Sequence, residues 1–229
     1  MRAILFDLDN TLYGSERALF SLIDVRINYY MHHMVGIAAE DVDILRRRYW
    51  RQYGVTLQGL IREYAVDPED YLNYVHDIDV SSRLQHNLPL RTMLQELPQR
   101  KFVFTNGSYD HACRVLNCLN IDDCFEHIFD IRCGDYIPKP NRKPYDVVLN
   151  STGLTGERCV MVEDSLDNLE TAAQLGMKTI LVRTCAAGVP VSDKSSEHAF
   201  ATAVDGKQLD AVVDCVEQVG SVIQGWMEK

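Results

Sequence analysis

Residues 3–11 read Ala3-Ile4-Leu5-Phe6-Asp7-Leu8-Asp9-Asn10-Thr11. A short apolar run meets a polar cluster. A strand buried on both faces of a parallel sheet ends in this way where the sheet opens onto a functional edge. The pattern recurs at Lys101–Thr105, at Arg158–Glu163 and at Lys178–Arg183, and more weakly at His127–Ile131. Helical spacing fills the intervals. One helix begins near Ser108, placed as an N-cap, and runs to about Cys118. Another covers Pro144–Ser151. A third covers Asp167–Leu175 and stops at Gly176. Strand and helix alternate, so the fold class is α/β, a parallel sheet with helices on both faces.

The interval 15–86 breaks the alternation. Leu19, Ile23, Ile27, Tyr30 and Met34 share one helical face. Val42, Leu45, Tyr49 and Tyr53 share a second, and Leu57, Leu60, Ile61 and Tyr64 a third. Asp67-Pro68 reads as an N-cap followed by proline at the first position of a fourth helix. We expect an all-helical insertion over 15–86 and a core built from 1–14 and 87–229, resuming near Leu88-Pro89. The stretch Ala186–Ala203, rich in Gly, Pro, Ser and Asp, reads as loop. Leu209, Val212, Val213, Val216, Ile223 and Trp226 fall at helical spacing and predict a C-terminal helix.

The chain has 229 residues, which suits one large domain or a core with a smaller insertion. Its composition, 46% hydrophobic and 24% charged, supports a substantial core without disulfides or a structural metal. A formal net charge of −10 repels polyanions. That argues against a nucleic-acid polymer or an anionic membrane as partner, and leaves room for a small anion held by local positive charge. Seven cysteines, an odd number without a CxxC pair or metal-ligand spacing, read as buried reduced thiols of a cytosolic protein. The N-terminal run meets acidic residues by position 7 and does not read as a signal peptide. No stretch reaches the ~18 apolar residues of a membrane span. A cytoplasmic location is expected.

Four clusters follow predicted strands, at the sheet edge where open parallel sheets bind ligands. In the first, strand alternation points Asp7 and Asp9 the same way. Two close carboxylates need a cation or a shared proton between them. One can then be a nucleophile and the other a proton carrier. The second, Thr105-Asn106-Gly107-Ser108, opens a helix, where backbone N–H groups and the positive helix end suit a phosphate. Gly107 lets the backbone come close. The third, Ile137 to Tyr145, is basic within an acidic chain and holds Lys139 between two prolines. The fourth, Val162-Glu163-Asp164-Ser165, offers adjacent acids of the kind that bind hard cations. Each cluster alone also reads as a capping turn or a solvated loop, but the four agree on phosphate and a cation. In the helical interval, Tyr29-Tyr30 and His32-His33 read as helix surface. Adjacent histidines diverge around a helix and make a poor metal pair.

Together these motifs resemble the haloacid dehalogenase-like (HAD) superfamily, over nearly the whole chain. Asp7-Leu-Asp-Asn-Thr11 matches its DxDxT motif and Thr105-Asn-Gly107 its second motif. Lys139-Pro-Asn-Arg-Lys-Pro-Tyr145 matches the KPxxxxY form of the third, and Glu163-Asp-Ser165 the fourth. The resemblance implies a Rossmann-like core, a C1-type helical cap in 15–86 and Mg2+ as cofactor. It implies Asp7 as the nucleophile that attacks phosphorus, and Asp9 as general acid and then base. Thr105, Asn106 through its amide, and Gly107 would bind phosphate, and Lys139 would neutralise charge. Asp7, the Asp9 carbonyl and Asp164 would hold the metal, with Glu163 assisting. Lys143 is a rival to Lys139 but misses the register set by Tyr145.

The Asp9–Tyr13 opening, the Tyr136–Pro140 stretch and the Asn168-Leu169 pair resemble the pyrimidine 5'-nucleotidase-like branch. The expected substrate is therefore a small phosphorylated metabolite such as a pyrimidine 5'-nucleotide. A sugar-phosphate or phosphoglycolate phosphatase shares every core residue. A haloacid dehalogenase does not normally keep an acid at position 9, and a phosphomutase would transfer its phosphate. Outside metabolic enzymes stand a phospho-aspartate receiver domain, which is shorter and lacks the insertion, and a non-catalytic binding protein on the same scaffold.

Overall fold

A computed structural model describes residues 1–183, 200–204 and 207–228. Seven strands form one sheet: β1 (Ala3–Phe6), β2 (Arg100–Phe104), β3 (His127–Phe129), β4 (Cys159–Glu163), β5 (Lys178–Val182), β6 (Phe200–Val204) and β7 (Lys207–Val213). Their order is β3-β2-β1-β4-β5-β7-β6. Six run parallel, and β6 pairs antiparallel with β7 at the edge. Helices α1 (Leu19–Tyr29), α2 (Ala39–Tyr53), α3 (Thr56–Tyr64), α4 (Pro68–His76) and α5 (Leu88–Glu96) lie between β1 and β2. Helix α6 (Tyr109–Leu119) follows β2, α7 (Arg142–Thr152) follows β3, α8 (Leu166–Gln174) follows β4, and α9 (Val219–Met227) comes last.

The apolar runs are continuous because each central strand is covered twice. Alternate side chains leave a strand on opposite faces. Ile4 and Phe6 of β1 join Val103, Val160 and Val162 in one core layer, under Leu94 of α5, Val115 of α6 and Val222 of α9. Ala3 and Leu5 face the other way with Phe102, Phe104 and Met161, under Tyr145 and Val148 of α7 and Leu169 of α8. Each fully buried Val, Leu, Ile, Phe or Met among them contributes roughly 1.5–3 kcal/mol.

The helices of the 15–86 interval have an apolar core of their own. It gathers Ile23 and Ile27 of α1, Val42 and Tyr49 of α2, Leu57 and Leu60 of α3, and Tyr71, Leu72 and Val75 of α4. Asp67 caps α4 by accepting from Glu69 N at 2.8 Å, with Pro68 at the first position. Met34 departs from the expected stripe and is exposed. Helix α1 ends in a π-helical turn over Tyr30–Met34, with Val35 N donating to Tyr30 O at 3.0 Å. The wider turn rotates the later residues off the α-helical phase.

Three further expectations change. The C-terminal segment is not one helix. Leu209, Val212 and Val213 lie in β7, and helix begins only at Val219. A short apolar run cannot be told from a buried helix by spacing alone. Pairing with β5, Ile180 with Ala211 and Val182 with Val213, decides it. Of the loop read over 186–203, positions 186–199 lie outside the described residues, and 200–203 belong to edge strand β6. The thiols differ as well. Among the described residues six cysteines are unpaired, but Cys159 alone is buried and Cys215 is exposed.

Candidate active site

Three adjacent strands, β2, β1 and β4, deliver the acids and the hydroxyl. Asp7 follows β1, Thr105 follows β2, and Glu163-Asp164 ends β4. The strand order reverses around β1, so the connections diverge there and leave a crevice at the sheet edge. Pairing continues one residue past β1, with Asp7 N donating to Val162 O at 2.9 Å. Asn10 then takes a left-handed φ of 63°, tolerated by asparagine, and turns the chain out of the sheet.

Lys139 reaches the same point from the loop after β3 and is 1% exposed. Its ammonium makes three bonds of 2.7 Å, to Asp7 Oδ1, Glu163 Oε1 and the Phe104 carbonyl, which uses all its donors. The backbone behind it is fixed by Asn106, whose side chain accepts from Lys139 N at 2.8 Å and donates to Lys139 O at 3.1 Å. Lys143 lies outside, paired with Asp135 on the surface at 2.6 Å. Glu163 is also fully engaged. Oε1 accepts from Asn168 Nδ2 at 2.5 Å besides Lys139, and Oε2 accepts from Ser165 N at 2.8 Å. Thr105 Oγ1 accepts from Gly107 N at 2.9 Å, which leaves its own O–H available as a donor into the crevice.

Burial and crowding set the charges. Burial would push the Lys139 ammonium down, yet Asp7 and Glu163 hold it above its ordinary value. Burial would raise Glu163, but Lys139 keeps it below the usual carboxylate range. Asp7 is pushed up to about 7 by burial and then by Glu163, against the pull of Lys139. Asp164 is pushed up to about 9 by burial, Glu163 and Asp7. Asp7, Glu163 and Asp164 each bring an oxygen within 4.8 Å of the others. Burial and mutual repulsion raise two of these three acids for want of positive charge, and their donors are all oxygen. That set fits a small hard dication.

Asp9 stands beside them in a different setting. Its Oδ1 accepts from Tyr13 OH and from His111 Nε2, the latter at 2.8 Å. Burial would raise it, but His111 and the two hydrogen bonds hold it below the usual range. His111 stacks on His76 of α4, ring centroids 4.7 Å apart. Spacing did not mark His111, Tyr13 or His76 as site residues. One signal was available: Ser108 caps α6 through His111 N at 3.3 Å, which places residue 111 in the first turn, over the strand ends.

The helical interval forms the opposite wall. A cavity of about 1110 Å³ lies between it and the sheet edge, lined by Asp7, Asp9, Thr105, Lys139 and Asp164 below and by Arg47, Trp50, Arg51 and Tyr53 above. Trp50 is 65% exposed. Hydrogen bonds join the walls, among them Arg114 donating to the His76 carbonyl at 2.7 Å. Glu69 of α4 takes a two-point bond from Arg132, at 2.8 and 2.6 Å, and one from Tyr136 OH at 2.6 Å. Gln58 of α3 donates to Tyr136 O at 2.6 Å. Gly54 ends α2 with φ 86°, and a Cβ there would stand 3.2 Å from Lys139 O. Only glycine suits that left-handed turn so close to the lysine loop. His32 and His33 are exposed, with His32 Nδ1 at 2.8 Å from Ile37 O.

These strand-end acids and this lysine on a doubly wound sheet define a hydrolase of known type. The chain belongs to the haloacid dehalogenase-like hydrolase family, whose model matches residues 1–176. Phosphate metabolism protein 8 of Saccharomyces cerevisiae is 27% identical over 197 residues, covering 79% of this chain and 61% of that protein. The chain therefore spans about three fifths of that relative's length. Glyceraldehyde 3-phosphate phosphatase of Methanocaldococcus jannaschii is 24% identical over 197 residues, covering 80% of this chain and 85% of that one. The solved structure of L-2-haloacid dehalogenase from Xanthobacter autotrophicus matches with a TM-score of 0.60 at 16% identity, covering 98% and 99% of the two chains. That likeness is one of fold. Among the described residues no helix is long and apolar enough to cross a membrane.

Proposed function

We propose that the chain is a Mg2+-dependent phosphomonoester hydrolase acting through an aspartyl-phosphate on Asp7. The observation that carries this reading is the Lys139 ammonium, held at 2.7 Å from both Asp7 and Glu163, with Asp9 two residues beyond the nucleophile. Asp7 attacks phosphorus as the bond to the leaving alcohol breaks. Asp9, which takes up a proton as the anionic substrate binds, gives it to that oxygen. Asp9 then takes a proton from the water that attacks the phosphoryl group, and Asp7 is regenerated as phosphate leaves. Lys139 offsets the repulsion between a carboxylate and a phosphate dianion, and the Thr105 hydroxyl with the Asn106 amide donates to the phosphoryl oxygens. Asp7, Asp164 and the Asp9 carbonyl would hold Mg2+, with Glu163 mainly keeping Lys139 in place. The bound ion supplies positive charge to the phosphoryl oxygens.

Residues 15–86 act as a cap over a core of 1–14 and 87–229, excluding water from the phosphoryl group. The substrate is a small phosphorylated metabolite, and a pyrimidine 5'-nucleotide suits the cavity wall. Trp50 and Tyr53 offer flat faces for a ring, and Arg47 and Arg51 offer charge for a polar edge. A sugar phosphate is the second reading, favoured by the relative named for glyceraldehyde 3-phosphate.

Phosphate release from UMP, CMP, AMP, phosphoglycolate and hexose phosphates, with Mg2+ and then with EDTA, tests this. Release that needs Mg2+ and favours UMP and CMP supports the nucleotide reading. Release favouring other esters keeps the mechanism and discards that substrate. No release from any ester, or release untouched by EDTA, overturns the proposal.

A further inference from the structure

We propose that His111 and Tyr13 are positioning residues that clamp one oxygen of Asp9, so that the proton passed to the leaving alcohol travels on the other. This rests on the phosphohydrolase reading above. Both donors fall on Oδ1: Tyr13 OH and, at 2.8 Å, His111 Nε2. An oxygen that accepts two bonds has little room to carry a proton itself. Oδ2 points elsewhere. It lies 3.5 Å from where a Cβ on Gly107 would stand, and Thr105 Oγ1 lies 3.3 Å from the same point. Oδ2 and the Thr105 hydroxyl therefore lie on the same side of Gly107, with His111 Cδ2 also 3.5 Å from that point. Asp9, Thr105 and Gly107 all line the cavity, and the leaving oxygen would meet Oδ2 from that cavity. The step is balanced: Asp9 takes up a proton on Oδ2 as the anionic substrate binds, the Asp7–phosphorus bond forms, the phosphorus–alcohol bond breaks, and that proton moves to the alcohol.

His111 is built for this one bond. It is 0% exposed, and its Nδ1 is buried without a hydrogen-bond partner. A buried polar atom left unpaired costs stability, roughly 1–3 kcal/mol, so an apolar side chain would serve the core better. The ring is also held on its faces and backbone. His76 stacks on it at 4.7 Å, and Ser108 Oγ takes its backbone N–H at 3.3 Å. His76 comes from α4, so the opposite wall of the cavity braces the ring that braces Asp9.

The test compares two esters in one enzyme. p-Nitrophenyl phosphate releases a phenolate that needs no proton, whereas UMP releases an alkoxide that does. kcat/KM reports the steps up to loss of the alcohol. His111→Leu should lower kcat/KM on UMP by about 10²-fold or more, the range for lost proton transfer. On p-nitrophenyl phosphate it should lose under about tenfold, because only alkoxide departure calls on that proton. His111→Gln, whose amide reaches the Nε2 position, should recover much of the difference. Tyr13→Phe, which keeps its shape, should show the same selectivity on a smaller scale. The ratio of the two rates cancels any loss of folded enzyme. Equal losses on both esters, or none, overturn the inference alone. A wild type inactive on both overturns the hydrolase reading and this inference with it.

Discussion

Acidification should cost this protein stability through one buried ring, His76. Burial, with His111 beside it, pushes that imidazole down to about 3 from an ordinary 6.5, against the pull of Asp9. The folded value is depressed, so stability present above the unfolded value is lost as pH falls from 6.5 toward 3. In that window the unfolded chain binds a proton that the folded chain refuses. At pH 5 the gap is about 1.5 pH units, and at 1.36 kcal/mol per unit the loss is about 2 kcal/mol. That figure hardly depends on the folded value, provided it lies below about 4. Asp7 and Asp164, pushed up to about 7 and 9, work the other way and gain stability on acidification. The useful quantity is therefore a difference between proteins. His76→Asn keeps a donor for Leu72 O, which His76 Nδ1 meets at 3.0 Å, and cannot titrate. Urea unfolding followed by circular dichroism at about pH 7.5 and about pH 5 gives each protein's change. The wild type should lose about 2 kcal/mol more than the variant. Equal changes, within about 0.5 kcal/mol, would refute a neutral buried His76.

Asp7→Asn should abolish phosphate release and leave stability nearly unchanged. Asparagine still accepts from Lys139, and a carboxylate crowded by burial and Glu163 is gone. Turnover near the wild-type rate in that variant would sink the mechanism. Lys139→Met should lower unfolding free energy by roughly 3–5 kcal/mol, since it leaves Asp7 and Glu163 facing each other without a cation. A thermal unfolding midpoint equal to that of the wild type would contradict the burial argument.

The α/β class was legible because the parallel strands are short, apolar and buried on both faces, and that demand is written locally in runs such as Ala3–Phe6. The acids Asp7, Glu163 and Asp164 were legible for a related reason. Strand ends map to one edge of a parallel sheet, so residues just past each run must meet. Local patterns failed where pairing or phase decides. Leu209–Val213 became strand because β5 offered it a partner, and Met34 left its stripe because a π-helical turn changed the phase.

By itself, then, the sequence determined the class of fold, the apolar faces of the helices and the set of groups at the sheet edge. Only the tertiary structure decided how those groups are divided. It showed that Glu163 spends both oxygens on Lys139, Asn168 and Ser165, and that Asp9 is held by Tyr13 and His111. It also set His76 of α4 against His111 of α6. The physical reason is range. Periodicity and capping are set by neighbours a few positions apart. A hydrogen bond between residues 9 and 111, or a stack between 76 and 111, depends on how whole elements pack.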